Sequence, residues 1–292
     1  MFLRLMIGSL LLGGIYGLLA LSYSIIYRAS GLMNFAQGDM FMVGAFIGLV
    51  LNSFLKIPYI AAVLLTMAIM FVMGLLVEKI IIRPIINRRS PAMFIVLATL
   101  ALSIILRNGV MVIFSGAMFS FPPIFGRTFI QISGVKFMPE QLMAVGASIL
   151  CMVMMHFFMT RTKLGTAMRG AAQDPLAAKS CGINVSLTTG ITWGLSGAVA
   201  ALAGILYGPS FQVFIMMGNI IGTRAFSSAV IGGYGNMYGA IAGGFLLAIV
   251  ETFSAAYISS EFKDFISFAI LMMFLFLKPT GIFNERALGD TR

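Results

Sequence analysis

Few polar residues of this 292-residue chain could do chemistry, and most stand inside apolar stretches. Asn34, Gln37 and Asp39 fall within Ser30-Gly31-Leu32-Met33-Asn34-Phe35-Ala36-Gln37-Gly38-Asp39. Arg107 and Asn108 stand late in one apolar stretch, Glu251 within another, and His156 near the end of a third. Ionisable groups inside a bilayer are costly and by default mark function. The chemistry open to this set is binding and passing a polar solute. Each charged member also has a plainer reading: Arg107 can snorkel to the interface, Glu251 can bridge two helices as an acceptor, and His156 can sit at the membrane surface. One His and two cysteines, Cys151 and Cys181, supply neither a metal-ligand cluster nor a disulfide framework. Without clustered acids, there is no nucleophile and base to pair for an intramembrane enzyme. No Gly-Lys pair exists, so no P-loop does. This chain is expected to bind no cofactor and to hydrolyse no ATP itself.

The elements that must position these groups follow from charge and hydropathy. Hydrophobic residues make up 60% of the chain and charged residues 10%. Soluble domains carry about a quarter charged residues, so there is too little polar surface to coat a soluble globule. The net charge of +10 is spread beside apolar spans, which reads as topology and excludes a nucleic-acid partner. Charge-free windows long enough for a helix of roughly 20 residues to cross a bilayer predict helices at about 5–27, 35–54, 59–82, 92–114, 140–160, 187–207, 238–257 and 262–278, with a shorter ninth near 223–232. The first window is too long for the core of a secretion signal and lacks a cleavage site, so it is expected to be a retained span. The expected fold is an all-α polytopic membrane protein: about eight transmembrane helices plus a short broken or re-entrant one, in a single domain over 1–292.

Eleven of the 19 basic residues lie in three connections: Lys79, Arg83, Arg88 and Arg89; Arg161, Lys163, Arg169 and Lys179; and Lys278, Arg286 and Arg292. The positive-inside rule places all three in the cytoplasm, with 115–139, 208–222 and 258–261 on the other side. Arg4 and Arg28 leave the side of the N-terminus open.

Two breaks interrupt the spans. At the first, Asn34 is expected to cap a helix, and Gln37 and Asp39 would stand near its positive end. If that start is deep, its backbone must line protein or a watery cavity, as in transporters that present broken helices to substrate; otherwise it is a tight turn at the surface. The second break, Gly232-Gly233-Tyr234-Gly235-Asn236-Met237-Tyr238-Gly239, is too rich in glycine for continuous helix. Asn34, Gln37, Asp39, Gly232, Gly233 and Tyr234 are the candidate path residues.

The connection 161–186 is the longest on the basic side and unusually specified. Leu164, Ala167, Met168 and Ala171 recur at helical spacing. Asp174 reads as an N-cap with Pro175 at the first helical position, and Gly182 as a stop. Helix, cap, short helix and stop suggest a docking element for a cytoplasmic partner; the other reading is a helix lying on lipid.

Leu176-Ala177-Ala178-Lys179-Ser180-Cys181-Gly182 resembles the Glu-Ala-Ala-x-x-x-Gly loop by which bacterial ABC importer permeases contact their ATPases. Leu176 stands where that loop has Glu, so no ion pair is expected there. Three stretches together resemble the shorter-chain permeases of branched-chain amino acid ABC importers: Gly31 to Asp39; Leu164 to Arg169 through Asp174-Pro175 to Gly182-Ile183; and Gly232 to Asn236, then Gly239-Ala240, Gly243-Gly244 and Glu251. They span nearly the whole chain. The resemblance implies a permease subunit in a bacterial inner membrane, paired with a second related permease and with two cytoplasmic ATPase subunits that use the ATP. It also implies a periplasmic or extracellular substrate-binding protein and alternating access. Leu164, Arg169, Asp174, Pro175, Ala177, Ala178 and Gly182 would then couple the ATPases to the path. A stand-alone channel or secondary transporter, for a solute such as urea or an amide, would explain the breaks equally well but not the specified loop.

Overall fold

Charge-free windows become long helices because an apolar slab satisfies backbone groups only within helices or closed barrels. The computed structural model describes residues 2–88, 90–122, 124, 130–132, 135–278 and 280–283. Arg89, Arg286 and Arg292, and the side chain of Arg4, lie outside the described residues. The helices are α1 (Phe2–Ser30), α2 (Gln37–Leu49), α3 (Tyr59–Val77), α4 (Arg83–Asn87), α5 (Ala92–Phe114), α6 (Pro139–Arg161), α7 (Lys163–Gln173), α8 (Pro175–Ser180), α9 (Val185–Tyr207), α10 (Met217–Gly232), α11 (Met237–Tyr257) and α12 (Lys263–Leu277). A π-helical turn, Val50–Phe54, extends α2, and another, Glu78–Ile82, joins α3 to α4. Among the described residues seven helices are long and apolar enough to cross a membrane, counting α2 and α3 with their extensions.

The protein is all-α and multi-pass, with three departures from expectation. α12 has 15 residues, a rise of about 22 Å, short of the ~30 Å hydrocarbon core. α10 starts at Met217 and has 16 residues, where the sequence suggests a helix near 223–232. Its Gly218 and Gly222 discourage helix locally, but both pack on Gly38 of α2, and that tertiary contact decides the matter. A small antiparallel hairpin, β1 (Ile130–Ile132) and β2 (Val135–Phe137), sits between α5 and α6.

α9 is the centre: 83% of its spanning window is buried, against 28% for those of α3, α5 and α6, which face outward. It packs between α2 and α3 and also touches α1, while α1 runs beside α11. Lipid tails are as apolar as side chains, so helices here associate through close packing rather than hydrophobic burial. A Cβ on Gly204 of α9 would come within 2.3 Å of the Phe41 carbonyl oxygen, and one on Gly244 of α11 within 2.4 Å of the Gly17 backbone nitrogen. Any larger residue would force these pairs apart.

The basic connections share one face. Arg83 donates to the Ser186 carbonyl at 3.0 Å, tying the start of α4 to the first turn of α9. The last turn of α1 meets α7 where Arg28, Ala29, Met168 and Arg169 line one small cleft. The N-terminal end of α1 therefore lies on the opposite face from the loop 161–186.

Candidate functional site

The first break is built by Gly31, which ends α1 at φ +66°. Residues 31–36 then run non-helically and close in a turn, with Met33 and Phe35 exposed and Asn34 and Ala36 buried. Asn34 does not cap α2 as expected. Its Oδ1 accepts from the Ala36 N–H at 3.0 Å, a local side-chain turn, and Ala36 is the N-cap residue. Its Nδ2 donates to Gln37 Oε1 at 2.8 Å. Gln37 Nε2 donates to Ser22 Oγ at 2.8 Å, and to Ser196 Oγ at 2.9 Å and its carbonyl at 3.1 Å. Ser196 lies eleven residues into α9, about 16 Å from its basic end. α2 thus starts near mid-depth, and the surface-turn reading of the break falls away.

Asp39, also buried, faces α5. It accepts a hydrogen bond from Ser103 and pairs with Arg107 at 3.4 Å. Arg107 therefore turns inward to a carboxylate in place of snorkelling. A second buried cluster joins four helices. Arg224 of α10 pairs with Glu251 of α11 at 3.1 Å and Asp264 of α12 at 2.5 Å. It also donates to the Tyr16 hydroxyl of α1 at 3.2 Å, which donates to Glu251 at 2.9 Å. Glu251 is thus a bridging acceptor between helices.

The second break is a turn on the basic face. Gly233 and Gly235 adopt φ +108° and +94°, Asn236 caps α11 by accepting from Tyr238 and Gly239, and the Ile282 N–H donates to the Ile231 carbonyl at 3.0 Å. Gly232 is buried against Gly239, where a Cβ would come within 1.9 Å of the carbonyl oxygen. Burial pushes the Tyr234 phenol well above its ordinary range, so it stays neutral. Its ring meets Tyr27 at 4.7 Å and Phe226 at 5.6 Å, and Phe226 in turn meets Phe35 at 6.0 Å. Aromatic contacts therefore bring the two breaks together, although Asn34, Gln37 and Asp39 point away from Tyr234 into the bundle. On α10 the exposed Asn219 and Thr223 continue towards the half-buried Phe226. Reading polar residues alone passes over Met33, Phe35, Phe226 and Tyr27, and the apolar sequence around the breaks carries no separate signal for them.

The loop 161–186 forms two helices. Thr162 caps α7 by accepting from Gly165 N–H at 3.0 Å, and Gly165, Met168 and Ala171 are buried. Asp174 Oδ1 accepts from Leu176 and Ala177 N–H at 2.8 and 3.0 Å, Pro175 opens α8, and Gly182 stops it at φ +79°. Ala178 is buried, whereas Leu164, Asp174, Pro175, Leu176, Ala177 and Gly182 are exposed and Arg169 is half-buried. His156, near the end of α6, shares a hydrogen bond with Tyr238.

Comparison with known proteins bears on this arrangement. Residues 5–275 match the family described as "Branched-chain amino acid transport system / permease component". The chain is 31% identical to the "High-affinity branched-chain amino acid transport system permease protein LivH" of Salmonella typhimurium and of Escherichia coli, covering 97% of this chain and 96% of each relative. It is 29% identical to the corresponding BraD of Pseudomonas aeruginosa over the same shares. Since the match runs through both breaks and the loop between α6 and α9, the chain belongs to the permease-component family of branched-chain amino acid transport systems.

Proposed function

We propose that this chain is one permease of an ATP-driven importer of branched-chain amino acids, working by alternating access in a bacterial inner membrane. It pairs with a second related permease. Two cytoplasmic ATPase subunits bind and hydrolyse the ATP, and this chain holds no cofactor. A periplasmic or extracellular binding protein delivers substrate to the face opposite the basic loops. Residues 1–292 act as one transmembrane domain, with 161–186 as its coupling loop.

The observation that supports this reading best is α8. Six residues do not hold a helix alone in water. This one is fixed by the Asp174 cap, Pro175 and the Gly182 stop, yet Leu176 is 76% exposed. An interfacial helix would turn its apolar stripe to lipid, but α7 turns Gly165, Met168 and Ala171 to protein. Helices α7 and α8 are anchored below and bare above, which suits a partner's grip. Leu164, Arg169, Asp174, Pro175, Ala177, Ala178 and Gly182 serve as the coupling residues.

The path follows the α10 face bearing Asn219, Thr223 and Phe226, and passes Met33 and Phe35. Asn34, Gln37 and Asp39 hold its wall from behind, and Gly232, Gly233 and Tyr234 close its basic end. Affinity purification of the tagged complex in mild detergent tests the reading. ATPase subunits should accompany the wild-type chain and be lost from Leu176→Asp while the second permease stays bound. A folded chain that purifies without ATPases, and moves leucine into vesicles without ATP, would overturn it.

A further inference from the structure

An amino acid crosses as a zwitterion, and both its charges lose water inside a bilayer, at a cost of several kcal/mol for each group left unpaired. The protein must offer replacement charges at depth. Among the described residues two ion pairs stand within the helices away from both faces: Arg224 with Glu251, and Arg107 with Asp39. The first is closed. Arg224 is 11% exposed and meets Glu251, Asp264 and Tyr16. The second is open on one side. Arg107 approaches Asp39 only at 3.4–3.5 Å, beyond the 2.7–2.9 Å of a good charge-assisted bond. Its side chain is 30% exposed, against 3% for Asp39.

Asp39 also does not depend on Arg107 alone. It stands in the first turn of α2, where the helix dipole stabilises a carboxylate, and the Ser103 hydroxyl donates to it. A Cβ on Gly218, in the first turn of α10, would lie 3.1 Å from Asp39 Oδ1, so the pair adjoins the helix that carries Asn219 and Thr223. The guanidinium has five N–H donors in a planar fork suited to a carboxylate, and the loose contact to Asp39 leaves that capacity free.

We propose that Arg107 receives the α-carboxylate of the transported amino acid at mid-path, with the buried Asp39 as the positioning residue that holds the guanidinium from behind. This inference rests on the importer reading above. It assigns recognition to the permease itself, in addition to any binding protein.

The test uses the complete complex in proteoliposomes, with leucine-loaded binding protein, measuring leucine uptake and ATP hydrolysis together. For Arg107→Gln, uptake per ATP should fall roughly 10- to 100-fold, the loss of one or two charge-assisted bonds, while stimulated ATP hydrolysis stays within about twofold of wild type. Arg107→Lys, which keeps the charge but not the fork, should show a smaller loss of the same kind, and stands in if Arg107→Gln fails to assemble. Uptake and ATP hydrolysis falling in equal proportion would overturn the proposal, because a pair that only holds helices together affects the whole cycle. So would recovery of wild-type uptake in the doubly neutral Asp39→Asn, Arg107→Gln variant. A wild-type complex that hydrolyses ATP but moves no leucine would overturn the importer reading and this inference with it.

Discussion

The two intramembrane ion clusters use the same chemistry to different ends. Arg224, Glu251, Tyr16 and Asp264 come from four helices and leave Glu251 4% exposed. Asp39, Ser103 and Arg107 come from two helices and leave Arg107 30% exposed. A buried ion pair contributes little net stability relative to an apolar replacement, yet breaking one partner is costly because the other charge is stranded. The difference to be learned from is therefore closure. A sealed cluster fixes which helices sit together, and an open one keeps a charged donor at the surface.

The largest effect expected is from Glu251→Leu. It leaves Arg224 only the half-exposed Asp264 and the Tyr16 hydroxyl as partners, and the variant should lose about 3 kcal/mol of stability, the low end for a broken buried pair, read as a lower unfolding midpoint in detergent. Pairing it with Arg224→Met should recover most of that loss, to within about 1 kcal/mol. If the double variant stays as unstable as the single one, the cluster is more than a helix staple.

Ser103→Ala is the corresponding probe of the open pair. It removes the hydroxyl donor to Asp39, a hydrogen bond to a charged group worth about 1.5–3 kcal/mol. The helix N-terminus and Arg107 remain to hold the carboxylate, so the measured destabilisation should fall at the low end and below that of Glu251→Leu. A loss equal to or above it would mean that the two clusters do not differ in closure as described.

The sequence made the span pattern legible because charges cannot sit cheaply in hydrocarbon, and charge-free windows map onto α1, α3, α5, α6, α9 and α11 within a few residues. The loop 161–186 was legible for another reason. Asp174, Pro175 and Gly182 act within three residues of their own position, and such local rules need no tertiary knowledge. Long-range pairing was not legible. Arg107 finds Asp39 across 68 positions, and α10 gains its first turns only by packing on Gly38. Arg224 does carry a local signal: it is the lone charge between two long charge-free windows. Asn34 is a capping residue type that instead forms a turn just ahead of the helix, the other local structure such side chains favour.

The smallest effect expected is from Asp264→Asn, and it tests how far the seal of the first cluster extends. Asp264 stands at the start of α12, 56% exposed, and meets Arg224 at 2.5 Å. Its charge is solvated on one side, so the ion pair should contribute only about 0–1 kcal/mol. The guanidinium keeps Glu251 and the Tyr16 hydroxyl when Asp264 is neutralised. The unfolding midpoint of Asp264→Asn should therefore move little, and it should move less as salt is added to the wild type for comparison, since an exposed pair is screened within a Debye length. A loss approaching that of Glu251→Leu would place Asp264 inside the closed cluster rather than at its rim, and would make α12, despite its 15 residues, part of what holds α1, α10 and α11 in register.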